Sequence, residues 1–381
     1  MGDRARIHEW LTIPEIVQSA RDSLTGRVWD YSAGGADDEV TLRRNRSGFG
    51  TFAFNPRVLT GVGTPDVSSK LLGHGLRLPL LFAPVGSIKR FDPDGALACA
   101  RVATRAGIAA FVGTLASPSL EEVRAGSNCP LFFQLYMYGD REWVAALVRR
   151  AESAGYSAIC VTVDTAAYGR RERDLHHRFF PRSTIEQPNI GAKLDFSNPV
   201  LSDDFNSRLT WSDIAWLRQA TDLPLMVKGI TSAADAEQAV ETGVDVVYVS
   251  NHGGRQLDHM PSTIEVLSEV VAAVQRRAQI VVDSGFMRGS DVVKAIALGA
   301  DAVAIGKLMV WALAAGGDEG LARATELIET EMKVVMANLG AKRLDDLSPE
   351  MLRRIVPSQQ VPWPVDTGPR YSRDSQAPVS I

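Results

Sequence analysis

Val246-Val247-Tyr248-Val249-Ser250-Asn251-His252-Gly253-Gly254-Arg255 is the stretch from which the fold can be inferred. Its first four residues are β-branched or aromatic, as in a parallel strand that is buried on both faces. His252 and Arg255 follow the carboxyl end of this strand, where α/β proteins place their chemistry. Because an imidazole can accept a proton while a nearby guanidinium binds a carboxylate, the pair predicts a site for a small anionic substrate. The alternative, a helix-capping histidine beside an arginine in a surface ion pair, is less well suited to this position.

A short apolar strand, a turn and a helical stretch repeat along the chain from Leu78 onward. Strands are predicted at residues 78–83, 109–112, 131–136, 158–164, 224–228, 246–250, 279–283 and 302–305. Helices are predicted at residues 94–106, 119–125, 140–154, 212–220, 233–242, 262–276 and 290–298. Eight such units predict an α/β fold, a closed (β/α)8 TIM barrel, because right-handed crossovers leave few other connections. An open doubly wound sheet is the alternative, but no GxGxxG motif follows any of the strands.

Segments outside the barrel complete one domain, predicted over residues 1–365. Thr12-Ile13-Pro14-Glu15 has the pattern of a capping box and begins an N-terminal helical extension, which we expect to end near Gly26 and to be followed by a turn over residues 29–38. A long loop after strand 4, residues 173–208, has the length of a lid or binding loop, and disorder is the alternative. Residues 310–339 are long enough for two closing helices, and residues 366–381 are predicted to form a flexible tail.

The composition is that of an ordinary globular protein, with 45% hydrophobic and 23% charged residues. A net charge of -4 argues against a nucleic-acid or membrane-surface partner. Cys99, Cys129 and Cys160 are an odd number without a CxxC pair, so neither a disulfide framework nor a zinc site is indicated. With no apolar signal core at the N-terminus and no membrane-spanning run, we expect a cytoplasmic protein.

Residues at the ends of the predicted strands should converge on one pocket. Gln134, Thr162, Lys228 and Ser250 are donors that suit a flat heteroaromatic cofactor. The set also contains Tyr136, Asp164, Asp283-Ser284-Gly285 and Gly306-Lys307, the last two groups lying where barrels most often bind phosphate. Together they suggest FMN.

Two alternatives stay open from the strand ends alone. Lys228 could be a structural ion pair or a Schiff-base lysine, as in an aldolase.

No metal site is predicted, since the carboxylates are scattered and the adjacent His176 and His177 are expected to face solvent.

Several motifs resemble the FMN-dependent L-2-hydroxy acid oxidases and dehydrogenases, the family of glycolate oxidase, lactate oxidase and mandelate dehydrogenase. The similarity runs from about Thr12 to Leu352, and its most specific motif is S-N-H-G-G-R-Q at residues 250–256. Further matches are Y-S-A-G-G at 31–35, F-F-Q-L-Y at 132–136, T-V-D-T at 162–165, G-R-R at 169–171 and L-P-L-M-V-K-G at 223–229.

This resemblance implies a role for each residue that matches. His252 is expected to be the catalytic base, with Asp164 stabilising its imidazolium and Tyr136 hydrogen-bonding the reacting oxygen. Arg171 and Arg255, with the Tyr31 hydroxyl, would hold the substrate carboxylate. Lys228 would lie near flavin N1, where a positive charge stabilises the reduced ring. The resemblance also places these groups against the cofactor: Pro84, Val85, Gly86, Gln134, Thr162, Ser250, and the phosphate-binding Asp283, Ser284, Gly285, Arg288, Gly306 and Lys307.

The chain departs from the family at the phosphate. Met287 and Lys307 stand where arginines are usual, which leaves Arg288 and Lys307 as the candidate cations. Gly86 and Asp283-Ser284-Gly285-Phe286 are similar to mandelate-type members and suggest a bulky 2-hydroxy acid.

The resemblance further implies a homo-oligomer, a tetramer, and reoxidation by O2 or another acceptor. A non-catalytic barrel that has lost its cofactor, or a Schiff-base barrel using Lys228, are the alternatives.

Overall fold

Eight parallel strands close into a barrel in the computed structural model, which describes residues 7, 9–179, 187–190 and 207–356. The barrel strands, in chain order, are β4 (Leu80–Phe82), β5 (Ala109–Gly113), β6 (Leu131–Leu135), β7 (Ala158–Thr162), β8 (Leu225–Ile230), β9 (Val246–Val249), β10 (Gln279–Val282) and β11 (Ala302–Ile305). The closure is made by β11 pairing with β4. The predicted TIM barrel is therefore confirmed, and its strands differ from the predicted ones by a few terminal residues.

Among the described residues, four strands of three residues each lie outside the barrel. They are β1 (Phe52–Phe54), β2 (Ser69–Leu71), β3 (His74–Leu76) and β12 (Leu352–Arg354). The first pairs antiparallel with the last, and β2 pairs antiparallel with β3.

Helices surround the barrel and precede it. They are α1 (Ile13–Ser23), α2 (Gly26–Ala33), α3 (Val40–Ser47), α4 (Ala96–Ala106), α5 (Leu120–Ala125), α6 (Arg141–Ser153), α7 (Glu172–His176), α8 (Trp211–Ala220), α9 (Ala233–Glu241), α10 (Thr263–Val274), α11 (Gly289–Ala297) and α12 (Lys307–Leu339). The last is interrupted by non-helical backbone at Gly316 and Gly317, so it forms the two closing helices that were predicted. Among the described residues, no helix is both long and apolar enough to cross a membrane.

Strand β9 shows why the apolar run of the sequence belongs to a barrel. Val247 and Val249 pack into the core between strands and helices, whereas Val246 and Tyr248 pack into the core inside the barrel. Because both faces are buried, apolar residues occupy every position instead of alternating with polar ones. The loop that carries His252 and Arg255 thus leaves the barrel at its carboxyl end.

The N-terminal extension contains a helix where we expected a turn. Residues 26–33 form α2, because Trp29 and Ala33 are buried on one side of it and Trp29 stacks on Trp311 with ring centroids 5.3 Å apart. Helix α1 ends at Ser23, near Gly26 as predicted, but burial of this face outweighs the weak helix propensity of Gly26, which begins a second helix. As a result, Tyr31 is held by a packed helix.

The long segment after β7 is partly helical where it is described. Residues 172–176 form α7, and residues 180–186 and 191–206 lie outside the described part, as does the predicted tail at 366–381. The expectation that His177 faces solvent was wrong. Its Nε2 lies 2.8 Å from Oδ2 of the buried Asp30, which also receives Arg173 Nη1 at 3.3 Å. His176 is exposed, as expected.

Candidate active site

A cavity of about 750 Å³ opens at the carboxyl end of the barrel. This volume is within the usual range for a cofactor or ligand site. The predicted residues that line it are Tyr31, Pro84, Val85, Gly86, Gln134, Tyr136, Thr162, Arg171, Lys228, His252, Arg255, Asp283, Ser284, Gly285, Gly306 and Lys307. Two other predicted residues do not line the cavity but are hydrogen-bonded to residues that do. Asp164 contacts His252, and Ser250 contacts Lys228. Arg288 is not brought to the cavity.

His252 and Asp164 form a hydrogen-bonded pair. The imidazole Nδ1 lies 2.9 Å from Asp164 Oδ1, and the loop backbone positions the ring with a left-handed φ of 57° at His252. Burial lowers the pKa of His252 below its ordinary value, and the positive charges of Lys228 and Arg171 add to this, while Asp164 partly opposes it. Burial by itself would raise the pKa of Asp164, but His252 and Lys228 outweigh it and the pKa is lowered. The pair therefore holds a neutral imidazole beside a carboxylate at neutral pH.

Arg171 and Arg255 place two guanidinium groups together at the cavity wall. Arg171 Nε donates to the backbone oxygen of Arg255 at 3.2 Å, and Arg255 Nη1 donates to the backbone oxygens of Tyr31 at 2.5 Å and Gly34 at 3.1 Å. Burial and the positive charge of Arg171 lower the pKa of Arg255. Two clustered cations of this kind need an anion between them, which suits a carboxylate.

Two tyrosines face the same space. The Tyr31 ring lies 4.9 Å from the Arg255 guanidinium, and burial raises the pKa of its hydroxyl, which keeps it protonated as a donor. Tyr136 is held by stacking on Tyr138 at 5.0 Å and by its backbone N–H, which donates to Thr114 Oγ1. Both side chains therefore offer a hydroxyl within the cavity.

Lys228 lies at the floor of the cavity and is 4% exposed. Its Nζ donates to Ser250 Oγ at 2.8 Å and lies 3.5 Å from Asp283 Oδ2. Burial alone would lower the pKa of Lys228, but the carboxylates of Asp283 and Asp164 outweigh it, so the pKa is raised. This side chain is a fixed positive charge and not a neutral amine.

The loops after β10 and β11 form the far end of the cavity. Ser284 and Gly285 adopt positive φ values of 80° and 85°, and Ser284 Oγ donates to Asp283 Oδ1. Met287 is buried against the same space, whereas Arg288 pairs with Glu331 at 2.7 Å. Arg288, which was expected to compensate for the methionine at position 287, is thus directed away from the cavity.

Several lining residues were missed by sequence reasoning. They are contributed mainly by α3 and by single aromatic positions: Leu42, Arg43, Asn45, Arg46, Ser47, Phe91 and Tyr168. Tyr168 accepts a hydrogen bond from Arg171 Nη1 at 2.6 Å, and its ring lies 4.3 Å from that guanidinium. The arginines at positions 43, 44 and 46 were a visible signal, since a basic cluster on a short helix beside a glycine-rich loop is suited to an anion. In the part of the chain that is described, no group of His, Cys, Asp and Glu is arranged to hold a metal ion.

Comparison with known proteins agrees with this geometry. The family model described as FMN-dependent dehydrogenase matches residues 20–354. The glycolate oxidase of Spinacia oleracea is 41% identical over 349 residues, which cover 89% of this chain and 95% of that protein. A peroxisomal (S)-2-hydroxyacid oxidase of Arabidopsis thaliana is 39% identical over 352 residues, covering 90% of this chain and 96% of that protein. A solved structure of a soluble mutant of the membrane-associated (S)-mandelate dehydrogenase from Pseudomonas putida has a TM-score of 0.85 at 36% identity, covering 90% of this chain and 99% of that one.

The closed barrel and its cavity define a TIM-barrel flavoprotein of the oxidoreductase class. The chain belongs to the FMN-dependent dehydrogenase family, and the resemblance found in its motifs is confirmed. FMN is its cofactor, as predicted.

The donor set of the cavity fits this cofactor. Gln134, Thr162 and Lys228 present an amide, a hydroxyl and an ammonium group from buried positions, which suits the carbonyls and ring nitrogens of a flavin. The loops at Ser284–Gly285 and Gly306 lie where barrels bind phosphate.

Proposed function

We propose that this protein oxidises an L-2-hydroxy acid to the 2-oxo acid, with His252 as the base. The observation that carries the proposal is the placement of the His252–Asp164 pair in one cavity with Arg171, Arg255 and Lys228. Each kind of group needed for the reaction is present there: a base, anchors for a carboxylate and a buried cation.

Substrate binding is assigned to the two arginines. Arg171 and Arg255 hold the carboxylate, and the Tyr31 hydroxyl donates to it. The carboxylate is anchored equally before and during the reaction, so its main effect is to orient the hydroxyl-bearing carbon toward His252. Tyr136 donates a hydrogen bond to the substrate hydroxyl oxygen, which becomes the carbonyl oxygen of the 2-oxo acid.

Proton transfer is assigned to Nε2 of His252, because Nδ1 is already bonded to Asp164. The imidazole takes the proton of the substrate hydroxyl, and Asp164 stabilises the imidazolium that forms. Bound FMN supplies the acceptor for the two electrons and the α-hydrogen. Lys228, held at the cavity floor, stabilises negative charge that develops beside it.

The charge on Lys228 argues against the Schiff-base alternative. Amine attack on a carbonyl requires the neutral form, but Asp283 and Asp164 raise the pKa of Lys228 despite its burial. The hydrogen bond from Lys228 Nζ to Ser250 Oγ also engages the ammonium group in a structural contact. The Schiff-base barrel is therefore the poorer account of this lysine.

The substrate side chain is expected to be bulky and apolar. Phe91, Leu115 and Tyr168 line the cavity together with Tyr31 and Tyr136, so apolar and aromatic groups surround much of the space for a substrate side chain. This supports a preference for longer or aromatic 2-hydroxy acids over glycolate.

One anaerobic experiment tests the function. Purified holoenzyme is mixed with glycolate, lactate, mandelate and longer 2-hydroxy acids, each as separate enantiomers, and bleaching of the flavin band is recorded. We expect fast bleaching with L enantiomers of bulky acids; no bleaching with any acid would refute the function. Admission of air then distinguishes O2 from another acceptor by the rate of recolouring.

The variant His252→Gln tests the assigned base in the same experiment. It should retain the flavin spectrum but bleach slower by roughly 10²- to 10⁴-fold, the usual contribution of general acid–base catalysis. Near-normal bleaching would refute the role of His252.

We also propose a homo-oligomer, most simply a tetramer, in the cytoplasm. Val58 and Leu59 are adjacent in the chain and 82% and 102% exposed, and a subunit contact at this position would remove their apolar surface from water. The three cysteines are buried and form no disulfide, which fits a reducing compartment. Light scattering after size exclusion measures the oligomer, and localisation of a tagged chain tests the compartment.

A further inference from the structure

The phosphate end of the cavity lacks the cation expected from its loops. The loops after the last two barrel strands are where such folds bind phosphate, yet Met287 places a buried thioether there. A phosphate monoester carries close to two negative charges at neutral pH, so this end requires a compensating group.

The cations suggested by the sequence are engaged elsewhere. Lys307 Nζ donates to the backbone oxygens of Ser32 at 2.6 Å, Ala33 at 3.2 Å and Gly34 at 3.0 Å. An ammonium has three protons, so these contacts use all of its donors. Arg288 pairs with Glu331 and does not line the cavity.

Helix α3 brings another basic group to this end. Its residue Arg46 donates to the backbone oxygen of Gly285 at 3.2 Å and pairs with Asp291, so its charge is largely neutralised. The backbone of Asn45 also packs against Gly285, where an added Cβ would lie 2.4 Å from the Asn45 oxygen. Arg43 is three residues before Arg46 on the same helix, and residues at that spacing share a face.

We propose that Arg43 supplies the guanidinium that binds the FMN phosphate in this chain, a role the loop residue at position 287 cannot fill. Its side chain lines the cavity and is largely exposed to solvent. Among the described residues its guanidinium has no hydrogen-bond or ion-pair partner, so the five N–H donors of that group are available to phosphate oxygens in a bidentate contact. The proposal rests on the FMN site described above.

The test compares FMN with riboflavin, which has the same ring but no phosphate. Apo-protein is prepared from wild type and from Arg43→Gln, and the dissociation constants of both flavins are measured by fluorescence quenching. We expect Arg43→Gln to weaken FMN about tenfold and to leave riboflavin unchanged, the size of a charged hydrogen bond near the surface. The difference should shrink at high salt, because the contact is partly solvent-exposed.

Arg44→Gln is the matched control. Arg44 is the next residue of the same helix, but its guanidinium donates to the backbone oxygen of Met260 and it does not line the cavity. The control should bind both flavins as wild type does, and introducing Met287→Arg into the Arg43→Gln variant should restore FMN affinity.

The outcomes separate this proposal from the function itself. Equal affinity of wild type and Arg43→Gln for FMN, or an equal loss for FMN and riboflavin, would overturn the role of Arg43 while leaving the flavin enzyme intact. A wild-type protein that binds neither flavin would overturn the proposed function and this inference with it. Circular dichroism confirms the fold of each variant before titration.

Discussion

His252 Nδ1 lies 2.9 Å from Asp164 Oδ1, and this contact determines which nitrogen of the imidazole can act on a substrate. Because Nδ1 is engaged, Nε2 is the atom available to accept a proton. The same contact raises the pKa of His252 relative to what burial and the nearby cations would impose. Asp164 therefore has two effects, which can be measured separately.

The variant Asp164→Asn should separate them in a pH profile. Burial already lowers the pKa of His252 below 6.5, so the acid limb of kcat/KM in wild type should lie below that pH. Removing the carboxylate takes away the influence that raises this pKa, so the acid limb should move to still lower pH. At the plateau kcat should fall by roughly 10²- to 10⁴-fold, because the imidazolium loses its partner.

The profile is measured from pH 4.5 to 9 with bound flavin quantified at each pH. An acid limb that moves to higher pH, or a plateau within a few-fold of wild type, would contradict the assigned pair. His252→Gln supplies the reference, since a variant without an imidazole should show no acid limb from this group.

Arg171 and Arg170 are neighbours in sequence with opposite surroundings. Arg171 is 7% exposed and lines the cavity, whereas the side chain of Arg170 is 68% exposed and lies 3.6 Å from Glu172. Arg171→Met should lower kcat/KM by roughly 10²-fold or more and raise KM, since losing one member of a buried charge pair costs about 2–5 kcal/mol. Arg170→Met should leave both constants within about twofold.

Steady-state kinetics with the best substrate of the panel measures this difference. If a neutral amide analogue of the substrate is affected by Arg171→Met as strongly as the acid is, the arginine does not recognise a carboxylate.

Tyr168 holds Arg171 in two ways, through its hydroxyl at 2.6 Å and through its ring at 4.3 Å from the guanidinium. Tyr168→Phe keeps the ring contact and removes the hydrogen bond, so kcat/KM should fall about tenfold, as expected for loss of one bond to a charged group. Tyr168→Leu removes both and should fall further. A Phe variant as impaired as the Leu variant would assign the whole effect to the hydroxyl, and no loss in either would show that Arg171 is positioned without Tyr168.

The sequence predicted the structure best where a pattern of residues is compatible with a single fold. The eight repeated strand segments predicted the barrel, and the loop at His252 and Arg255 after β9 predicted the cavity, because strand ends converge in this fold. The direction of a long side chain was not predictable in this way. Arg288 was expected at the cofactor, but it forms an ion pair with Glu331, which lies much later in the chain on α12.

The N-terminal extension shows the same limit. Gly34 and Gly35 follow a segment that has turn composition, yet Trp29 finds a stacking partner in Trp311 and the segment is helical. Likewise, His177 is partly buried because its ring is hydrogen-bonded to the buried Asp30. In each case the deciding partner is distant in sequence, so local pattern could not supply it.

Asn45 and Asn251 join α3 to the catalytic loop by a reciprocal pair of hydrogen bonds. Asn45 Nδ2 donates to Asn251 Oδ1 at 2.8 Å, and Asn251 Nδ2 donates to Asn45 Oδ1 at 2.7 Å, with both residues almost completely buried. Asn251→Ala leaves the amide of Asn45 without these partners, so the free energy of unfolding should fall by about 2–4 kcal/mol. Urea denaturation of the FMN-saturated protein measures it.

Asn338→Ala is the control, because the Asn338 side chain donates to Val334 on the exposed surface of α12, and its loss should cost less than about 0.5 kcal/mol. The pair also predicts coupling: Asn45→Ala should destabilise by a similar amount, and the double variant should lose less than the sum, because the second substitution removes the group that the first left unsatisfied. Additive losses would mean that the two amides stabilise the fold independently, and that the contact between α3 and the His252 loop does not depend on this pair.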